Sequence, residues 1–248
     1  MTDSNAQVVD VDDPGTWPEQ FTVWVRYLAD QVRATTDKPS ELPCCDLQLR
    51  EHEEETRRLL NGYLLRAYHA ARLLPHEAGA IYTKGLRTLG PELVEDRLAQ
   101  AHQLGYITET DHDTLLADKT LDTNRVNQVC FFLSATSITR DARGLYQLLA
   151  TWGGEGIYWK HADTGNILGD KLRSLGLPTI IVAQLDLTVP AKLLVFPGIA
   201  NAFVGAALGL TDVGGDIFYF APVPPTGIER LVQPGDPGFP QHPDLPQN

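Results

Sequence analysis

The sequence predicts an α+β protein, and three observations carry that reading. Apolar residues recur at helical spacing through the first half of the chain. The second half mixes helical stretches with short runs rich in β-branched and aromatic residues, bounded by turn formers. Hydrophobic residues make up 43% and charged residues 21% of 248 positions, enough apolar material for a sizeable core and too much for a disordered chain. The expected organisation is a flexible acidic N-terminus at 1–16, a helical region at 17–59, an α+β core at 60–232 and a proline-rich flexible tail at 233–248. The tail places five prolines in sixteen positions, which forbids a regular helix or ladder.

The elements follow in order. Residues 18–33 put Phe21, Trp24, Val25, Leu28 and Val32 on one helical face. The turn-rich stretch 34–47 reads as a linker, and a second periodic segment begins near Glu51. Residues 61–74 fit two descriptions. Leu59, Leu60, Tyr63, Leu64, Ala67, Ala71 and Leu74 make a helical face, whereas a strand would set Arg66, Tyr68, Ala70 and Arg72 opposite Leu65, Ala67, His69, Ala71 and Leu73. Pro75 then opens a helix with His76 and Glu77 in its first turns, Ile81 and Tyr82 facing inward, and Gly85 as its stop. A further helix runs from Pro91 to the stop at Gly105, and residues 111–118 read as a short one. Strands are expected at 126–134, 156–159, 178–187 and 216–223, with helices between them at 142–152 and 166–176. Asn166 suits the N-cap of the last and Gly176 its end.

Charge and cysteine usage exclude several classes. Thirty-two acidic against 20 basic residues give a net charge of −12, a field that repels polyanions and argues against nonspecific nucleic-acid binding. Arg57, Arg58, Arg66, Arg72, Lys84 and Arg87 are clustered, but Glu53, Glu54, Glu55 and Glu77 lie close enough in sequence to pair with them. The longest apolar stretch, 193–210, is interrupted by Pro197, Gly198, Asn201 and Gly205, so no membrane span is expected. The acidic start lacks the pattern of a signal peptide, and Cys44, Cys45 and Cys130 form no disulfide framework; a cytoplasmic location is the expectation. His76-Glu77 has no second His four residues on, and Asp111-His112-Asp113 has no partner cluster, so no metal is expected. No nucleophile elbow, P-loop or dinucleotide fingerprint occurs, although spacing leaves a hydrolase triad open because triads assemble in space.

Four segments carry the remaining chemistry. Tyr68 and His69 are flanked by arginines and followed by a helix leading to Gly85-Leu86-Arg87. Residues 131–138 end an apolar run with Ser134, Thr136 and Ser137. Residues 151–159, TWGGEGIYW, gather two tryptophans, a tyrosine and Glu155 around two glycines that permit an unusual backbone. Residues 214–232 run from Asp216 through an aromatic strand to an Ile-Glu turn. Each has a plain structural reading as well: the polar face of a helix, a hydroxyl-rich cap, a tight turn with core aromatics, and a surface aspartate beside glycines.

Taken together and in this order, the four segments resemble mono-ADP-ribosyltransferases of the toxin and defence type. The resemblance implies a helical N-terminal part packed on a split, mostly antiparallel sheet of five or six strands, with NAD as substrate and no metal. It implies that Arg72 holds the pyrophosphate, with Tyr68 and His69 beside it on the first strand. Ser134 would orient the catalytic acid, Tyr158 would stack on nicotinamide, and Glu155 or Asp216 would be that acid. The family's essential glutamate opens its closing strand, where this chain has the shorter Asp216, which puts activity in question. The implied partner is a macromolecular acceptor, with an antitoxin or other partner protein as a second candidate. The competing class is a non-enzymatic interaction or immunity module that uses the acidic surface and the helix bearing Trp17 and Trp24.

Overall fold

The computed structural model describes residues 6–121, 125–140, 142–163, 165–187, 193–210, 213–241 and 245–246. It is α+β, with helices and a seven-stranded, mostly antiparallel open sheet. The strands are β1 (Val8–Val9), β2 (Leu64–Leu73), β3 (Val129–Phe132), β4 (Leu177–Asp186), β5 (Leu193–Phe196), β6 (Asp216–Tyr219) and β7 (Ile228–Val232). Their order is β5-β6-β3-β2-β4-β7, with β1 paired parallel to β2 through Val8–Leu64 and Val9–Leu65. Tyr68 faces Phe132 across the antiparallel β2/β3 pair, and β5 runs antiparallel to β6. Among the described residues no helix is long and apolar enough to cross a membrane.

The chain divides into two compact units. The first comprises residues up to Tyr68, Cys130–Arg140 and Val182–Tyr219; the second comprises His69–Val129, residues 141–181 and the chain from Phe220 onward. In the first unit, α1 (Glu19–Thr35) buries Phe21, Val25, Leu28, Ala29 and Val32, the stripe expected of a 3.6-residue period. Trp17, Phe21 and Phe203 meet edge-to-face with centroids 4.8 to 6.1 Å apart, the geometry their ring quadrupoles favour. Phe203 belongs to α10 (Ile199–Leu208), which is buried on every side along its first two turns. The Glu53 carboxylate from α2 (Glu53–Leu59) accepts from Ile199 N and Ala200 N at 3.1 Å each, satisfying orphan donors at the start of α10. Arg57 pairs with the same carboxylate at 3.1 Å.

The second unit holds α3 (Pro75–Lys84), α4 (Pro91–Gln103), α5 (Glu109–Asp118), α7 (Ala142–Ala150), the short α8 (Glu155–Tyr158) and α9 (Ile167–Ser174). Its apolar centre gathers Leu74, Val94, Leu98, Ala101, Ile107, Leu115, Trp152, Ile157, Tyr158 and Leu172. The expected caps are present: Asn166 Oδ1 accepts from Gly169 N at 3.0 Å, and Gly85 ends α3 at φ +75°. A Cβ on Gly85 would lie 2.0 Å from the carbonyl oxygen of Val223, so no other residue fits that turn without backbone movement.

Of the two descriptions open for residues 61–74, the strand is the one present, at 64–73; Leu65, Ala67, Tyr68, Ala70, Arg72 and Leu73 are all buried, so both faces are covered and neither period shows cleanly. Several expectations are corrected. Residues 156–159, expected as a strand, lie in α8 and the turn after it. Gly153 and Gly154 at positive φ turn the chain into a helical turn that buries the consecutive pair Ile157 and Tyr158 and turns Trp159 outward. Tyr82 faces solvent at 51% exposure, its hydroxyl accepting from Leu231 N at 3.0 Å. Residues 8–16, read as a mobile end, form β1 and a turn, with Val9 and Val11 fully buried. Phe239 and Leu245 of the proline-rich tail are also buried. Residues 1–5, 242–244 and 247–248 of the two ends, and the Ser137 side chain, lie outside the described residues.

Candidate functional site

In the first unit an acidic turn closes over one end of β2 and β3. The sequence Asp10-Val11-Asp12-Asp13-Pro14-Gly15 turns the chain away from β1, with Asp13 Oδ1 accepting from Gly15 N at 3.0 Å, as aspartate does in turns. Asp10 is only 5% exposed. Its Oδ2 accepts from Arg66 Nη1 at 2.8 Å and from the Tyr68 hydroxyl at 3.4 Å, its Oδ1 from Asp12 N at 2.9 Å, and its carbonyl from Trp17 Nε1 at 2.7 Å. A buried carboxylate with that many donors is electrostatically satisfied. Trp17 is therefore core, which removes it from any binding helix face.

Asp12, two residues after Asp10, points at the end of β3. Its Oδ1 accepts from Ser134 Oγ at 2.5 Å and its Oδ2 from Ala135 N at 2.7 Å. Ser134 is fully buried and shares a second hydrogen bond of 2.6 Å with the Thr136 hydroxyl. Burial pushes the Asp12 carboxyl above its ordinary value, helped by the nearby Asp10 charge and opposed by the bonds from Ser134 and Ala135. Burial, then the Asp10 and Asp12 carboxylates, push the Tyr68 phenol up as well, so it stays a protonated donor. At the neighbouring strand, Leu133 N donates to Gly215 O at 2.8 Å, and a Cβ on Gly215 would meet the Leu133 side chain at 2.8 Å. Asp216, the exposed first residue of β6, thus follows a glycine hydrogen-bonded beside the residue preceding Ser134.

Of the residues singled out from the sequence, Tyr68, Ser134 and Asp216 belong to this unit, while His69, Arg72, Glu155 and Tyr158 belong to the other. His69 is partly buried on β2. Arg72 is 7% exposed, and its guanidinium donates to Leu175 O at 2.6 Å and Leu149 O at 3.2 Å; burial lowers its affinity for its proton. Those two carbonyls give it a structural task, tying β2 to the chain ends of α7 and α9. Glu155 opens α8 and lies 3.5 Å from Arg125, with both side chains partly exposed. Tyr158 is 2% exposed among the apolar residues of the unit's centre, and burial followed by the Glu155 charge raises its phenol.

Sequence reasoning missed two groupings. One is the acidic turn itself, since Asp10 and Asp12 sit in a stretch that reads as a polar tail. The other is an ion pair in the second unit. Glu77 Oε1 accepts from Arg97 Nε at 2.6 Å, and Oε2 from Trp152 Nε1 and Leu74 N at 2.8 Å each, while Arg97 Nη1 donates to Gly153 O at 2.8 Å. The TWGG segment is thus anchored on α3 and α4. The only sequence signal was Glu77 in a first helical turn, where a carboxylate serves as a cap.

Burial pushes the Glu77 carboxyl up, but Arg97, Leu74 N and Trp152 outweigh it and hold it below its ordinary value of 4.5. The folded protein therefore binds this proton less tightly than the unfolded chain. The stabilisation is complete above that ordinary value and is lost as pH falls through the lower folded one. Wild-type protein should lose thermal midpoint more steeply than Glu77→Gln between about pH 5 and pH 3. Parallel melting curves for the two would contradict the assignment.

Among the described residues no group of three or more His, Cys, Asp or Glu side chains is placed to hold a metal ion. Comparison with protein-family models, curated proteins and solved structures found no match to this chain.

Proposed function

We propose that this chain is an NAD-dependent mono-ADP-ribosyltransferase-like protein that modifies a macromolecular acceptor, in the manner of toxins and phage-defence effectors. One observation carries the reading. The strand that leads to Ser134, β3, has as its two neighbours the strand bearing Tyr68 and the strand opened by Asp216, and these belong to three of the four segments on which the resemblance rests. Cleavage of the nicotinamide–ribose bond leaves positive charge on the ribose, and a site for it needs fixed acceptors of negative charge with donors to hold the sugar and phosphates. The carboxylates of Asp10 and Asp12, the Tyr68 and Ser134 hydroxyls and Arg66 are groups of that kind, gathered at one end of β2 and β3.

The test is incubation of the purified protein with NAD, following nicotinamide release and ADP-ribose addition to cell extract by mass spectrometry. Release that falls at least tenfold in Ser134→Ala supports the reading. Intact NAD after prolonged incubation at millimolar concentration contradicts it.

A second reading is favoured by α1, where Val23 and Tyr27 are 63% and 51% exposed and Trp24 stacks on Tyr27 at 5.7 Å. Such a face suits an interaction module that engages a partner or antitoxin protein. Expression separates the two: an active transferase impairs its host, whereas a binding module is harmless.

A further inference from the structure

Resting on the transferase reading, we infer that Asp12 is the carboxylate that faces the nicotinamide-bearing ribose, in place of Glu155 or Asp216. An acid with this task must be accessible, ionised when the bond breaks, and held so that it does not reorganise in the transition state. Asp12 is both accessible and held. The residue as a whole is exposed, although its carboxyl is desolvated enough to be raised. Both carboxylate oxygens are fixed, one by the buried Ser134 hydroxyl and the other by Ala135 N, and Ser134 is itself held by Thr136. Its backbone is fixed in turn, because Asp12 N donates to the buried Asp10, which Arg66 and Tyr68 hold from β2. Among the described residues Glu155 pairs with the partly exposed Arg125, 3.5 Å away, in the other unit.

The step balances without a further reagent. The bond between the nicotinamide nitrogen and ribose C1′ breaks, its electron pair leaving with neutral nicotinamide. Positive charge spreads over C1′ and the ring oxygen opposite Asp12. A hydroxyl or amine of the acceptor, or water in its absence, adds to C1′, and its proton passes to the Asp12 carboxylate and on to solvent. A carboxyl raised by burial accepts that proton more readily than an ordinary aspartate. Among the described residues, Asp10 on its own turn and Tyr68 on β2 interact with Asp12, and Arg66 on β2 reaches it through Asp10.

A purely structural role is the alternative, since the same two bonds hold the start of α6 (Ala135–Arg140). Steady-state nicotinamide release by wild type, Asp12→Asn, Asp12→Glu and Ser134→Ala separates the two, with Asp13→Asn as control and melting curves alongside. Asp12→Asn should lower kcat about 100-fold with little change in KM for NAD, and Asp13→Asn should match wild type. Ser134→Ala removes a bond that favours the ionised acid, so the acidic limb of its pH–rate profile should move to higher pH. If Asp12→Asn fails to fold, the Ser134→Ala profile and the Asp12→Glu rate decide. Wild-type kcat in Asp12→Asn, or an unmoved acidic limb in Ser134→Ala, overturns the Asp12 assignment and leaves the transferase reading standing. No nicotinamide release by the wild type overturns both.

Discussion

Trp152→Ala is expected to destabilise the protein by about 3 to 5 kcal/mol, the range for emptying a buried aromatic site. Trp152 is fully buried at the centre of the second unit, so the cavity it leaves is enclosed by Val94, Leu98, Ile157, Leu172 and their neighbours. Two further losses add to the missing contacts. Glu77 Oε2 loses the indole N–H that donates at 2.8 Å, and Arg97, whose guanidinium carbon lies 5.3 Å from the indole centroid, loses the ring face. Trp152→Phe keeps most of the volume and removes the donor, so it should cost less than half as much. Urea unfolding followed by circular dichroism checks both. Equal destabilisation by the two variants would show that the hydrogen bond dominates.

Arg66→Ala is the second large effect. It leaves the Asp10 carboxylate, whose side chain is 7% exposed, without its only guanidinium partner among the described contacts. Stranding one member of a buried pair costs about 3 to 5 kcal/mol, and the 25% exposure of Arg66 lets water reach the orphan, placing the expected cost near 3 kcal/mol. The mechanism makes a second demand: Asp10→Asn in the Arg66→Ala background should recover stability, because the amide oxygen can accept from Asp12 N while the amide nitrogen donates to the Tyr68 hydroxyl oxygen, with no buried charge. Additive losses in the double variant would mean that the two residues stabilise the chain independently. Because Asp12 N is bonded to Asp10, the same change should loosen the carboxylate that Ser134 holds.

The helices could be read from sequence where one face is buried and the other wet. Phe21, Val25, Leu28 and Val32 of α1 and Val94, Leu98 and Ala101 of α4 are buried at the spacing the sequence displays. Where an element is covered on all sides, no stripe exists to be read. The strand β2 was ambiguous for that reason, and α10, whose first seven residues are all buried, was passed over as a broken apolar run. Strands of two to four residues, β1 and β5, are too short to show alternation.

The candidate site divides in the same way. Tyr68, Ser134 and Asp216 were visible as residue types at the ends of apolar runs. Asp12 was not, because its partnership with Ser134 spans 122 positions and its own surroundings read as a solvated acidic end. Nothing local in Val8-Val9-Asp10-Val11-Asp12 marks it as a strand and turn docked on β2. Only the valine alternation, with Val9 and Val11 both fully buried, carries a trace of it.

The most direct measurement is calorimetric titration of the purified protein with NAD, repeated with Ser134→Ala and with Asp12→Asn. The transferase reading predicts saturable binding by the wild type, accompanied by an NAD-dependent rise in melting temperature, and little changed in Asp12→Asn or in Ser134→Ala, whose hydroxyl acts through Asp12. Absence of heat and of any melting shift at millimolar NAD would contradict the reading and leave the exposed face of α1 as the functional surface.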